Sequence, residues 1–192
     1  MMQNIRVLVV LLLFCVGTLG CVSRAPLSLM PTPILYKDAR INPFAHLQAG
    51  LADPAINVFY CTLRAPSATA GQYYGNQFSS QLHLGKAQIV IAGPDLNWSQ
   101  VQSMSLQVEE NSNIPLLISS VHQQATIGRS AHYTSEIPSG MHRFIDAINA
   151  ELIMAKDKDI MIYVHGTKVD FANGVSLAAE VDHFSGRDFV SI

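Results

Sequence analysis

The spacing of apolar positions divides this chain into a few strands and then an alternation of helix and strand. Asn57–Arg64, "NVFYCTLR", is rich in β-branched and aromatic residues and predicts the first solid strand. "APSATAGQYYGNQFSSQ" follows as a loop of small and polar residues, in which Tyr73–Gly75 is a packed turn. "KAQIVIAG" predicts a second strand, closed by Gly93-Pro94. In "WSQVQSMSLQVEE" the period-two placement of Met104, Leu106 and Val108 predicts a short turn and then a strand. "PLLISSVHQQATIG" predicts a strand that frays into a loop. From Ser139, a good N-cap, the periodicity changes. Met141, Phe144, Ile145, Ile148 and Leu152 share one helical face, and Lys156 and Lys158 sit where positive charge suits a helix C-terminus. "DIMIYV" is continuously apolar and short, the pattern of a parallel strand buried on both faces. A second helix over 172–184 turns Val175, Ala178, Ala179 and Val181 inward and stops at Ser185-Gly186. "DFVSI" starts another strand. The order predicts an α/β fold.

Upstream, residues 22–56 hold five of the nine prolines and keep no period for long. Residues 21–56 therefore read as a Pro-rich tether and approach segment. Residues 1–20 carry one basic residue, Arg6, an unbroken apolar run from Val7 to Val16, and then small residues before Cys21. That is the pattern of a signal peptide, too short for a spanning helix, which needs about 20 apolar residues. "TLGC" resembles a bacterial lipobox, with Thr18 and Leu19 departing from the preferred residues. The resemblance implies lipidation of Cys21, contact with a membrane through that lipid, and a place in the cell envelope. Val22 after Cys21 offers no inner-membrane retention signal of the Asp type, which favours an outer-membrane lipoprotein facing the periplasm. A plain secretory signal or an uncleaved anchor is the alternative.

Of 192 residues 49% are apolar, enough for one ordinary core, and only 14% are charged, with a formal net charge of −2. No Lys/Arg run appears, so nucleic-acid binding has no electrostatic support. Cys15 lies in the leader and Cys21 would carry lipid. Cys61 is then the one thiol of the body, with no internal disulfide and the role of a small buried hydrophobe. Seven histidines, His46, His83, His122, His132, His142, His165 and His183, form no metal-ligand spacing, and nothing in the motifs calls for a cofactor or metal. Each reads as a surface or satisfied core histidine except His165, placed to shape a turn. Asp170 reads as the cap of the helix that follows that turn.

"VFYCTLR", "YYGNQFSSQLHLGKAQIVIAG", Trp98 and above all "KDIMIYVHGTKVDFANGVSLAAEVDHFSGRD" resemble a bacterial group of alpha/beta hydrolases of unknown function. The likeness runs from about Asn57 to Ile192, so 57–192 is read as the N-terminal part of such a domain. It implies an incomplete hydrolase sheet and a serine-type scaffold. His165, Gly166 and Thr167 match the loop that offers an oxyanion-hole N–H, with Thr167 departing from the usual aromatic. In that architecture the G-x-S-x-G elbow, the acid and the base would follow later than Ile192. Two near matches, "GRSAH" with Ser130 and His132 and "GVSLA" with Ser176, read as a loop serine and a helix serine. The expectation is an envelope-anchored acyl or ester hydrolase fragment, inactive alone and able to take a small acyl substrate only if completed. The alternative is a non-catalytic lipoprotein, a binding remnant of a hydrolase half-domain.

Overall fold

The computed structural model describes residues 27–37, 41–47, 49–128 and 139–192. The leader, Cys15, Cys21, Ser130 and His132 lie outside the described residues. The elements in chain order are α1 (Ile34–Lys37), a 3-10 turn (Ala49–Leu51), β1 (Ala55–Pro66), β2 (Tyr74–Ile91), α2 (Trp98–Ser105), β3 (Leu116–Gly128), α3 (Ser139–Met154), β4 (Ile160–Met161), α4 (Phe171–Phe184) and β5 (Val190–Ser191).

β1, β2 and β3 form an antiparallel sheet in that order, and β4 and β5 form a separate parallel pair joined through α4. The class is α/β, although most of the strand pairing is antiparallel. Alternation along β1 explains the layering. Ile56, Val58 and Tyr60 turn to one face, where Ala87, Ile89 and Ile91 of β2 meet Phe171, Val175, Ala178 and Ala179 of α4. Phe59 turns to the other, where Leu84 and Ala125 meet Phe144 and Ile148 of α3. Phe59 is fully buried and stands edge-on to Phe144 at a centroid distance of 5.7 Å. The sheet is thus packed by α4 on one face and by α3 on the other.

Several expectations are corrected. Residues 98–105 are helix α2, not a turn before a strand. Asn97 accepts from the Gln100 amide and the Gln100 side chain accepts from the Asn97 amide, a reciprocal capping box that outweighs the period-two run behind it. The expected loop before the second strand is largely strand, because β2 already begins at Tyr74, whose side chain is buried. "DIMIYV" is not buried on both faces. Ile160, Ile162 and Val164 are 45%, 71% and 84% exposed, while α3 packs chiefly over β3, β2 and β5. Cys61 is exposed rather than buried. The described part of 21–56 packs on the body. The Leu29 amide donates to the Ile114 carbonyl, the Leu116 amide to the Leu27 carbonyl, and Leu29 and Phe44 are buried.

Other expectations hold. Lys158 donates through Nζ to the carbonyls of Ile153 and Ala155, both at 2.6 Å, and so caps the end of α3. Asp170 caps α4 by accepting from the Asn173 amide at 2.8 Å. α4 ends at Ser185, with Gly186 left-handed at φ +83°. Among the described residues no helix is long and apolar enough to cross a membrane.

Between β1 and β2 runs a polar chain inside the sheet. Tyr74 donates to Gln123 Oε1 at 3.0 Å, so the 3.0 Å contact between the Tyr60 and Tyr74 hydroxyls is a donation from Tyr60. Burial, with that donation, pushes the Tyr60 hydroxyl pKa well up. Gly85 makes room for it: a Cβ there would collide with the His122 carbonyl and lie 2.5 Å from the Tyr60 hydroxyl. Gly85→Ala is expected to cost about 3 kcal/mol or more, the upper end of overpacking costs. Urea unfolding measures it, and an unchanged midpoint would show that the sheet yields at this point.

Candidate functional site

The loop His165–Thr167 leaves the carboxyl end of β4 and leads through a turn, in which the Val169 amide donates to the Gly166 carbonyl at 3.3 Å, into capped helix α4. All three residues are exposed. Among the described residues no group accepts from the Gly166 or Thr167 amide, so both donors are available to a ligand. His165 holds the loop from within, its Nδ1 2.9 Å from the Gly166 carbonyl, which only accepts, so Nδ1 carries the proton. Its ring approaches the helix where α4 has no side chain: a Cβ on Gly174 would lie 3.3 Å from His165 Cδ2.

A residue not singled out by its sequence, Arg64 of β1, fixes the far side of the loop. Its guanidinium donates to the Val169 carbonyl at 2.6 Å and to the Gly75 carbonyl and Asn76 side chain at 3.2 and 3.0 Å. Only a preceding hydroxyl, Thr62, and the polar start of β2 hinted that an arginine here would be used locally. Beside the loop is a shallow cavity of about 70 Å³ lined by Tyr60, Cys61, Arg64, His165, Phe171 and Gly174 among others. Partial burial pushes the Cys61 thiol up, away from thiolate chemistry. Gly166 is not left-handed, and a Cβ there would meet nothing within 4 Å. Neither backbone conformation nor space therefore requires glycine at 166.

Among the described residues the shortest serine–histidine contact lies elsewhere and is structural. Ser105 Oγ and His183 Nε2 are 2.7 Å apart, and both residues are fully buried. Arg187 can only donate to His183 Nδ1, at 3.3 Å, so the imidazole proton is on Nε2 and points at Ser105. The Ser105 hydroxyl in turn donates to the Val101 carbonyl at 2.7 Å. A general base would need the opposite polarity at Nε2. Burial and the Arg187 charge also hold the His183 pKa well below its ordinary value, so the ring is neutral. Ser176, inside α4, is buried. His83 is a satisfied core histidine, held by Gln123 at 2.9 Å and Ser79 at 3.2 Å. Among the described residues no group of three His, Cys, Asp or Glu could hold a metal.

No family model, no curated protein and no solved structure matches the chain. The loop's chemistry therefore rests on its own geometry: two backbone donors at the mouth of a parallel strand, a position where open α/β sheets bind ligands.

Two predictions follow from this geometry. Gly166→Ala should leave the thermal midpoint unchanged, since neither φ nor space requires glycine; a fall of several degrees would place a hidden contact there. The second concerns Asp182, next to His183 on α4, which accepts from the Ser191 hydroxyl at 2.9 Å. Burial pushes its carboxyl from 3.8 up to about 7. A raised carboxyl contributes its full stability below about pH 4 and loses it as pH rises toward 7. His183, lowered, contributes fully above about pH 6.5 and loses it as pH falls. Between about pH 4 and 6.5 the two contributions therefore change with pH in opposite directions. The stability advantage of wild type over Asp182→Asn should shrink as pH rises through this window, and that over His183→Gln should grow. Urea midpoints across pH measure both, and flat differences would sink the assignment.

Proposed function

We propose that residues 57–192 contribute the oxyanion-loop half of an alpha/beta-hydrolase-type domain, held at the cell envelope by a lipid on Cys21. The observation that carries this reading is the exposed His165–Gly166–Thr167 loop at the carboxyl end of β4, with free amides, leading directly into a capped helix that crosses over to the parallel neighbour β5. A strand, loop, helix and parallel strand in that order is the unit in which hydrolases of this type build half of the oxyanion hole. The antiparallel β1–β2–β3 sheet lends the reading no separate weight. Loop donors aimed at a developing acyl oxyanion would serve ester or related acyl hydrolysis, with a serine, an acid and a base supplied from outside the described residues. Ser105 and Ser176 are excluded from that role by burial and by the direction of the Ser105 proton.

By this reading the 192-residue chain turns over no ester by itself. A serine-directed fluorophosphonate probe should leave it unlabelled, and a generic p-nitrophenyl ester should be hydrolysed no faster than in buffer. Labelling that maps to any serine of the chain would overturn it. The envelope arm is tested separately. In a bacterial host, radiolabelled palmitate should enter the wild-type chain and be lost in Cys21→Ser, with the protein fractionating with the outer membrane; label retained in Cys21→Ser would exclude that anchor.

A further inference from the structure

The segment Leu27–Lys37 is docked by its polar groups and turns two aliphatic side chains outward. The Ser28 hydroxyl accepts from the Ile114 amide at 3.0 Å, and the Met30 amide donates to the buried Glu180 carboxylate. Thr32 Oγ1 donates to the Ser105 carbonyl at 2.7 Å and accepts from the Val108 amide at 2.8 Å. The Tyr36 hydroxyl donates to the Phe184 carbonyl at 2.8 Å, and Lys37 pairs with Glu109 at 3.3 Å. Leu27, Met30 and Tyr36 pack against the core, in which Leu29 is buried. Ile34 and Leu35, side by side on α1, join neither core cluster and are 80% and 62% exposed. A turn that faces water ordinarily shows the reverse order, apolar groups inward and polar groups outward. The turn is also closed, the Tyr36 amide donating to the Pro33 carbonyl at 2.8 Å, so the pair is presented by a held backbone.

The place of this tip relative to Cys21 says what can cover it. Apart from Glu180 and Phe184 of α4, the partners of the segment lie in one stretch, Ser105 to Leu116. The segment therefore runs along one side of the body, at the end of the sheet where Ile91 pairs with Leu116. Leu27 is six residues beyond Cys21, a reach of at most about 20 Å of extended chain. A lipid on Cys21 therefore holds this side of the body close to a bilayer, and Ile34 and Leu35 are on this side. Phe78, 88% exposed, is on the other: it stands thirteen residues before Ile91 on β2, roughly 40 Å along the strand.

We propose that the Ile34–Leu35 tip of α1 inserts into the interface of the membrane on which the chain is held, and so seats the body with its 27–37 side on the lipid. The proposal rests on the reading of Cys21 as a lipid anchor and is independent of any acyl hydrolysis. An aliphatic tip followed at once by a lysine suits the boundary between acyl chains and headgroups. Lys37 is already engaged by Glu109, so the contact is chiefly apolar and does not depend on anionic lipid.

The test uses the full chain in a bacterial host grown with radioactive phosphate. The photoreactive residue p-benzoylphenylalanine replaces Ile34, Leu35 or Phe78 in turn, and the cells are irradiated. The purified chain should carry phospholipid label with the probe at 34 or 35, several-fold above that at 78. With the probe at 35, Ile34→Asp should cut the label several-fold. The same substitution should leave the thermal midpoint unchanged, because the side chain it replaces is exposed. Label at 34 and 35 no greater than at 78 would overturn the proposal. So would cross-links at 34 and 35 that join a second copy or another protein and carry no lipid. Palmitate incorporation is read on the same samples. Palmitate on Cys21 with no phospholipid at 34 and 35 would sink the seating and leave the anchor. Phospholipid at 34 and 35 with no palmitate would sink the anchor and leave the seating, so the two fail or hold separately.

Discussion

The packing of this molecule depends on one buried guanidinium. Arg187 is 6% exposed and donates through one terminal nitrogen to the carbonyls of Leu51, Asp53 and Ala55, at 3.2, 2.6 and 3.2 Å. Through the other it donates to His183, and its flat face lies 4.7 Å from the centre of the Trp98 ring. Three segments distant in sequence meet at this point: the entry to β1, helix α2, and the end of α4 with the approach to β5. A lysine would not serve, because an ammonium has no second nitrogen to reach His183 while the first serves the three carbonyls, and no planar face to lay on the indole. The cost is visible in its backbone, left-handed at φ +56° directly after left-handed Gly186, and in its pKa, lowered by burial to about 10. Gly186 is needed here for a second reason, since a Cβ would lie 2.5 Å from the Pro43 carbonyl.

That anchor explains why α4 is so unlike a surface helix. Glu180, Asp182 and His183 are all buried, and each is satisfied by a different neighbour: the Met30 amide, the Ser191 hydroxyl and the Ser105–Arg187 pair. A helix with apolar and polar faces both buried has to be enclosed on every side. The enclosure comes from the sheet, from β5, from α2 and from the segment around Leu29 and Thr32. Burial without full compensation raises both carboxyls and lowers the imidazole. The opposed titrations of Asp182 and His183 are a consequence of packing, and so carry no sign of catalysis.

Much of the order of elements was legible in the sequence, and the reasons for the exceptions are local. α3 and α4 announced themselves by periodicity, Asp170 by its place before a helix, Gly186 by its place after one. α2 was hidden because three apolar residues at period two mimic a strand, whereas the deciding signal was polar, Asn97 and Gln100 in a capping box. The stretch 21–56 read as a tether because prolines break every period. Yet Thr32, which both donates to the Ser105 carbonyl and accepts from the Val108 amide, docks it by hydrogen bonds that no hydropathy pattern records. The β4 run misled in the opposite sense: a continuous apolar strand signals what could be buried, and its burial depends on a neighbour that hydropathy does not name.

The loop after β4 draws on both halves of this account. Its position was visible in "VHGTKVDF", since a polar turn between a strand and a capped helix leaves backbone amides without internal partners. Its stiffness was not visible, because the restraint comes from Arg64, a hundred residues earlier in the chain, and from the ring of His165 against the bare backbone at Gly174. Preorganised donors stabilise a developing charge only when they are held before the charge appears. Arg64 and His165 perform that holding on opposite sides of the turn. The loop is thus fixed by the completed fold of β1 and α4, with Gly166 free of any steric demand.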